Sequence, residues 1–171
     1  LDQNLCAIAE DKILDVLPLI TRRYKEGFLV LSADTVVILE NRVLGKPKNR
    51  SDAQRMLRFM SGKVHTVYTA FSLYNSDEQR GVTKIIKTRV GFKILTQNEI
   101  EDYLDSGEPF DKAGSYGIQG QAKAFINLVE GDLLNVIGLP INDIKLELRK
   151  FNWDVERRKK ASRRSPSHSR G

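Results

Sequence analysis

A chain of 171 residues with 40% hydrophobic residues is long enough to form one domain with a sizeable core. No apolar run reaches the roughly eighteen residues of a membrane span, and no signal-peptide pattern opens the chain. The single cysteine, Cys6, excludes an intramolecular disulfide and a cysteine-based zinc cluster. We therefore expect a protein of the reducing cytoplasm.

The net charge of +6 is unevenly distributed along the chain. Residues 157–171 contain seven lysines and arginines and no acidic residue, so 21 basic residues face 22 acidic ones in the remainder. A nucleic-acid-binding domain carries its positive charge on a folded surface, whereas this body is near neutral. We predict that residues 154–171 form a disordered basic tail, to which any weak nucleic-acid or membrane-surface contact would be confined.

The first predicted element is an amphipathic helix, because apolar residues recur at helical spacing from Leu5 to Val16. Pro18 disfavours a simple continuation of this helix. Lys12 lies near the apolar stripe of this helix. A lysine there either extends its ammonium group into solvent or contacts a ligand, and both interpretations stay open.

Two strand-like runs follow, residues 28–31 and 36–39, with Asp34 between them. Because acidic side chains are rarely buried without a partner, Asp34 is predicted to lie at a strand end or to be held by a partner. Lys46 then comes between a glycine and a proline. A carboxylate and a lysine on neighbouring turns suit a metal-bound polyphosphate. The alternative is that Asp34 caps a turn and Lys46 is solvated, since short motifs have a high false-positive risk.

The middle of the chain predicts a helix over residues 51–61 and an antiparallel strand pair over residues 64–74 and 82–95. Gly91 is a candidate bulge in the second strand. Further on, Thr96 and Glu99 have the spacing of a capping box, which predicts a helix that ends at a glycine. The remaining predicted features are a glycine-rich loop over residues 108–120, a strand over residues 124–129 and a last helix after Pro140.

The polar residues outside regular patterns limit the possible chemistry. His65 lies in a strand and His168 in the tail, so a Ser-His-Asp hydrolase is excluded. Hydrolysis of a phosphoanhydride fits better, because it needs charge neutralisation, positioning and an activated water. Magnesium fits such a site, since it prefers one or two carboxylates together with phosphates and water. The candidates for one site are Lys12, Asp34, Thr35, Lys46, Asp111, Lys112 and Gln119.

Several ordered blocks resemble the Maf family of nucleoside triphosphate pyrophosphatases. The blocks are Ser-Ala-Asp-Thr-Val-Val at 32–37, Leu-Gly-Lys-Pro at 44–47, Ser-Gly-Lys-Val-His at 61–65, Ser-Gly-Glu-Pro at 106–109, Asp-Lys-Ala-Gly-Ser-Tyr-Gly-Ile-Gln-Gly at 111–120 and Asn-Val-Ile-Gly-Leu-Pro at 135–140. The resemblance implies an elongated α/β fold around a mixed β-sheet flanked by helices, similar to that of inosine triphosphatases. It also implies a Maf-like domain over residues 1–153.

The resemblance assigns roles to individual residues. Asp34 matches the proton acceptor that activates water and helps to hold the metal, Mg²⁺ or another divalent cation such as Mn²⁺. Lys12 and Lys46 match phosphate-contacting lysines, and Lys112 is a further substrate-binding candidate. The remaining two, Thr35 and Gln119, match positions linked to base selection in the branch that acts on dTTP and UTP. An amide both donates to and accepts from the imide edge of a pyrimidine.

One departure from the family pattern leaves a second hypothesis open. Maf proteins begin with a strand and a Ser-Pro-Arg-Arg loop that binds phosphate, and this sequence begins after that point, so we expect its Maf-like domain to be incomplete at the N-terminus. The leading hypothesis is a pyrophosphatase that hydrolyses dTTP and UTP, with modified pyrimidine nucleotides as further candidate substrates, and the resemblance implies a homodimer. The alternative is a catalytically impaired, nucleotide-binding regulatory protein that affects septum formation.

Overall fold

A five-stranded antiparallel sheet organises the first part of the chain. The computed structural model describes residues 2–24 and 27–153. The strand order is β2-β1-β3-β4-β5. The strands are β1 (Leu29–Leu39), β2 (Arg42–Leu44), β3 (Val64–Asn75), β4 (Arg80–Phe92) and β5 (Ile126–Glu130).

Five α-helices and three short 3-10 helices complete the described residues. The α-helices are α1 (Asp2–Arg23), α2 (Arg50–Met60), α3 (Gln97–Asp105), α4 (Leu133–Ile137) and α5 (Ile141–Lys150). The 3-10 helices are Glu108–Asp111, Ala113–Ser115 and Gln121–Phe125. The chain divides into two compact units at Ile141, and the second unit contains nearly all of α5.

The two faces of the sheet carry different cores. Helix α1 covers one face, where Leu5 and Ala9 pack with Ala70 of β3. The opposite face carries a larger core that includes Val37 and Val67 and the apolar sides of α2 and α3. Alternation along each strand separates these two sets of side chains.

Strand β1 is paired along its whole length on only one side. It pairs with β3 from Leu29 to Ile38, whereas β2 covers only Val37–Leu39 on the other side. Among the described residues, no strand pairs with the remaining edge of β1. This open edge is where the candidate site lies.

Most predicted elements are confirmed. The apolar face of α2 is buried, and α3 begins with the predicted capping box of Thr96 and Glu99. A register shift at Gly91 confirms the bulge. The α/β class is also confirmed. The prediction for residues 154–171 lies outside the described residues. None of the described helices is long and apolar enough to cross a membrane.

Three details of the prediction were wrong. Pro18 does not end α1, because the helix tolerates the loss of one hydrogen bond and the next turns keep theirs; Tyr24 N donates to the Ile20 carbonyl at 2.9 Å. The two runs around Asp34 are one continuous strand, so this carboxylate lies within β1. The described sheet is antiparallel throughout instead of mixed. Short turns join β1 to β2 and β3 to β4, and the longer connections bring β3 back along β1 and β5 back along β4 in the opposite direction. In addition, the short helix α4 was not predicted.

Candidate active site

A cleft of about 590 Å³ opens along the free edge of β1. Five consecutive residues of this strand, Ala33–Val37, line it. Because successive side chains of a strand point to opposite faces, Asp34 and Thr35 project from opposite faces of the sheet at this edge. The cleft therefore combines side chains from two different environments.

Asp34 contributes a carboxylate from the face that α1 covers. Its Oδ1 atom forms an ion pair with the Lys12 ammonium group, which also donates to the Ala33 carbonyl at 3.2 Å. Asp34 remains 28% exposed. As expected, Asp34 is held by a partner, although it lies in the middle of a strand and not at its end. Lys12 contacts this carboxylate, although it does not itself line the cleft.

Two loops place lysines at the same cleft. Gly114 N donates to the Gly45 carbonyl at 3.0 Å, which joins the turn carrying Lys46 to the loop carrying Lys112. Lys112 Nζ is 2.6 Å from a carboxylate oxygen of Asp111. This hydrogen bond, assisted by the charge of Lys46, lowers the pKa of Asp111 below its usual value.

Gly114 allows the loop that carries Lys112 to pack closely on β1. Its φ of +68° is strained for a residue with a side chain, and a Cβ there would lie 2.9 Å from a methyl group of Val37. At Gly45, by contrast, a Cβ would have no neighbour within 4 Å. The glycine-rich loop is therefore held against β1 by a contact that only glycine permits at position 114.

Glu108 is a further carboxylate at the cleft, to which the sequence analysis assigned no role. Its side chain accepts a hydrogen bond from Gln121 N at 3.0 Å. A Cβ at Gly120 would lie only 2.1 Å from Glu108 Oε2, so this carboxylate packs directly on the glycine backbone. The only sequence signal for Glu108 is its position in the block at 106–109.

Neutral groups line another part of the cleft. Thr35 and Gln119 contribute a hydroxyl and an amide, together with Val67, Val136 and Gly138. Beneath them, the Thr35 hydroxyl is 2.9 Å from the hydroxyl of Thr69, which donates to the Asn135 carbonyl at 3.1 Å. Neither Thr69 nor Asn135 was predicted to belong to the site. Threonine is ordinary in strands, and the only signal for Asn135 is its position in the block at 135–140.

An aromatic cluster supports the wall of the cleft. Tyr116 lines the cleft, and its hydroxyl is 2.7 Å from Nε2 of the buried His65. Burial lowers the pKa of His65 to about 4 and raises the pKa of Tyr116 above its usual value. Both groups are therefore neutral near pH 7. Phe92 contacts both rings edge-on, with centroids at 5.0 and 4.8 Å.

The carboxylates of the cleft suit a cation that shares its coordination with a substrate. Among residues 2–24 and 27–153, no group of three histidine, cysteine or acidic residues could hold a metal alone. Asp34, Glu108 and Asp111 nevertheless bring carboxylates to the cleft. This donor set fits Mg²⁺, which binds one or two carboxylates and completes its shell with phosphates and water.

Comparison with known proteins places the chain in a family. Residues 2–151 match the family described as Maf-like protein. The chain belongs to the Maf family. Five of the six site residues proposed from the family resemblance, all except Lys12, line one cleft.

Curated Maf relatives share the name dTTP/UTP pyrophosphatase. The protein of Bacillus cereus is 47% identical over 77% of this chain and 68% of its own length. The protein of Bdellovibrio bacteriovorus is 45% identical over 88% of this chain and 78% of its own length. For the protein of Bacillus anthracis, the identity is 48% over 74% of this chain and 65% of its own length.

Proposed function

We propose that this chain hydrolyses dTTP and UTP to the nucleoside monophosphate and pyrophosphate. The observation that carries the proposal is the convergence of carboxylates, ammonium groups and neutral polar groups on one cleft. Curated relatives named dTTP/UTP pyrophosphatase, at 45–48% identity, support the same reaction. A nucleotide requires both kinds of lining, because its triphosphate is highly charged and its base is neutral.

Asp34 is the proposed general base. Lys12 occupies Oδ1 of its carboxylate, whereas Oδ2 has no hydrogen-bond partner among the described residues. Oδ2 is therefore available to accept a proton from the attacking water. A base within hydrogen-bond reach of water raises the rate when the water attacks phosphorus. The ion pair with Lys12 holds the carboxylate in one orientation.

Lys46 and Lys112 are the proposed triphosphate contacts. Their ammonium groups neutralise the charge that accumulates on the leaving pyrophosphate as the bond breaks between the first phosphorus atom and the oxygen that bridges it to the second. Lys112 is paired with Asp111, so its ammonium group is already oriented before substrate enters. Oriented charges of this kind lower the barrier without a rearrangement during the reaction.

A divalent cation, Mg²⁺ or Mn²⁺, completes the proposed site. Asp34 would hold it, with Glu108 and Asp111 as further carboxylates of the cleft. When bound, such a cation supplies charge neutralisation to the phosphate oxygens.

The neutral groups are proposed to bind the base. Gln119 offers both a donor and an acceptor, which matches the alternating groups on the imide edge of uracil and thymine. Val67 and Val136 provide apolar surface for the ring. The base is thus bound where the lining is uncharged.

The purified chain tests this proposal when it is incubated with dTTP, UTP and Mg²⁺ and the products are quantified. We expect pyrophosphate and monophosphate in equal amounts, and a release that is about 10²- to 10⁴-fold slower from the Asp34→Asn variant. Release of inorganic phosphate would contradict the reaction. Nucleotide binding in calorimetry without any turnover would contradict catalysis and favour the regulatory alternative.

Self-association is a separate part of the proposal. The family resemblance implies a homodimer, and we expect light scattering of the purified chain to give twice the chain mass of 19.4 kDa. A monomer at working concentrations would contradict this part alone.

A further inference from the structure

A chain of hydrogen bonds runs from the neutral part of the cleft into the protein interior. Thr35 on β1 is directly opposite Thr69 on β3, and their hydroxyl oxygens are 2.9 Å apart. The Thr69 hydroxyl is also 3.1 Å from the backbone carbonyl of Asn135 on α4. Thr69 and Asn135 are fully buried, so water does not compete for these bonds.

The direction of these hydrogen bonds is fixed by the last acceptor. A carbonyl oxygen cannot donate, and each hydroxyl has only one hydrogen. The hydrogen of Thr69 therefore points at the Asn135 carbonyl, because two buried oxygens at 3.1 Å without a hydrogen between them would repel each other. Thr69 then accepts from Thr35. The Thr35 hydroxyl donates its own hydrogen to Thr69, so only its lone pairs face the cleft.

The surroundings of Asn135 hold the acceptor in place. Its carbonyl also accepts from Gly138 N at 3.0 Å, and its side-chain amide donates to the Val67 carbonyl at 3.2 Å and to the Thr88 hydroxyl at 3.1 Å. A Cβ at Gly138 would lie 3.5 Å from the Thr35 hydroxyl oxygen, so the missing side chain leaves that oxygen open. The acceptor character of Thr35 is thus determined by the fold and not by the ligand.

We propose that Thr69 is a positioning residue for base selection, which acts by fixing Thr35 as a hydrogen-bond acceptor. Such an acceptor favours a pyrimidine whose N3 carries a hydrogen, as in uracil and thymine, over cytosine, whose N3 is an unprotonated acceptor. This inference rests on the proposed function, because it assigns the neutral part of the cleft to the base. Discrimination of this kind is strong, since the wrong base leaves two acceptors facing each other.

The test compares the affinities of UTP and CTP analogues with a non-cleavable imido bridge between the first two phosphates. UTP and CTP differ only at N3 and at the neighbouring exocyclic group. We expect the wild-type chain to bind the UTP analogue at least about tenfold more tightly. In Thr69→Val the Thr35 hydroxyl loses its fixed partner and becomes able to donate to N3 of cytosine. The CTP analogue should therefore bind more tightly while the affinity for the UTP analogue changes little, and the preference should fall by about tenfold.

Two control variants separate positioning from a structural role. Thr69→Ser keeps the hydroxyl and should keep the preference for UTP. Thr83→Val removes a hydroxyl that also bridges β4 and β3, donating to the Ser72 hydroxyl at 3.0 Å, and it contacts neither Thr35 nor Asn135. It should also keep the preference. A general loss of order would weaken the binding of both analogues in both valine variants.

The outcomes distinguish this inference from the proposed function. An unchanged UTP-to-CTP ratio in Thr69→Val, or an equal fall in Thr83→Val, would overturn the inference while turnover of UTP stands. A changed ratio in a chain that never releases pyrophosphate would support the inference and overturn the proposed reaction. Failure of the wild-type chain to bind either analogue, or an equal affinity for both, would overturn the inference as well.

Discussion

The two faces of the central sheet are built differently, although two adjacent residues of β1 represent them in one cleft. On the α1 face, Asp34 meets the Lys12 ammonium group in a partly exposed ion pair. On the opposite face, Thr35 meets Thr69 and Asn135 in a neutral, buried network. One strand edge can therefore supply a charged group and a neutral group side by side. The alternation of the strand is sufficient to separate their surroundings.

The largest expected effect comes from removing the charge on the α1 face. Asp34→Asn keeps the shape of the side chain but loses the base, so kcat for pyrophosphate release should fall by about 10²- to 10⁴-fold. The exposed Asp102 on α3 offers a matched control, because Asp102→Asn should leave the rate unchanged. An unchanged kcat in Asp34→Asn would show that the side chain of Asp34 on this face takes no part in catalysis.

The ion pair on the same face gives the next effect. Lys12→Met should lower the rate about 10- to 100-fold, because the carboxylate of Asp34 loses the partner that orients it. Residues that act as a unit have non-additive effects. In the Asp34→Asn variant, the addition of Lys12→Met should therefore lower the rate only slightly further. Fully additive losses in steady-state kinetics would mean that Lys12 acts independently of Asp34.

On the neutral face, the expected effect is on stability at acid pH. His65 has a pKa of about 4 in the folded protein, below its ordinary value of 6.5, because burial disfavours its charged form. The unfolded chain therefore binds the proton first, and up to about 3 kcal/mol of stability should be lost as the pH falls from 6.5 to 4. Urea unfolding across this range measures the loss.

The variant His65→Leu serves as the control for this pH dependence. Its free energy of unfolding should change much less between pH 6.5 and 4. The carboxylate of Glu99, whose pKa the hydrogen bond from Lys93 lowers to about 2, loses its charge only below this range. An equally steep dependence in the variant would show that another group is responsible.

The smallest expected effect tests how the lysine-bearing loops are held to β1. Gly114→Ala introduces a Cβ at a positive φ and 2.9 Å from Val37, so the free energy of unfolding should fall by about 1 to 3 kcal/mol. Gly45→Ala, at the other end of the same hydrogen bond, should change it by less than about 0.5 kcal/mol. Equal losses in urea unfolding would contradict the packing argument.

Much of the fold could be predicted from local sequence signals. The capping box of α3, the apolar face of α2 and the bulge at Gly91 each depend on residues that are close together in the sequence. The continuity of β1 through Asp34 could not be predicted in this way. It depends on pairing with β3, in which Asp34 lies opposite Ala70, 36 residues later in the sequence.

The candidate site was predictable where its residues match family blocks with known roles, and not where a residue acts through a buried neighbour. Asp34, Lys46 and Gln119 belong to blocks that resemble the Maf family, and all three line the cleft. Thr69 lies in an ordinary strand, and its importance arises only from its pairing with Thr35. Residues that act through a buried neighbour leave little signal in a single sequence.

A structure of the complex with the α,β-imido analogue of UTP and Mg²⁺ would test the central claim most directly. We expect the triphosphate to lie beside Asp34, Lys46 and Lys112. The uracil ring should lie beside Gln119, with its N3 hydrogen directed at the Thr35 hydroxyl. A nucleotide bound outside this cleft, or bound with its base among the lysines, would contradict the account.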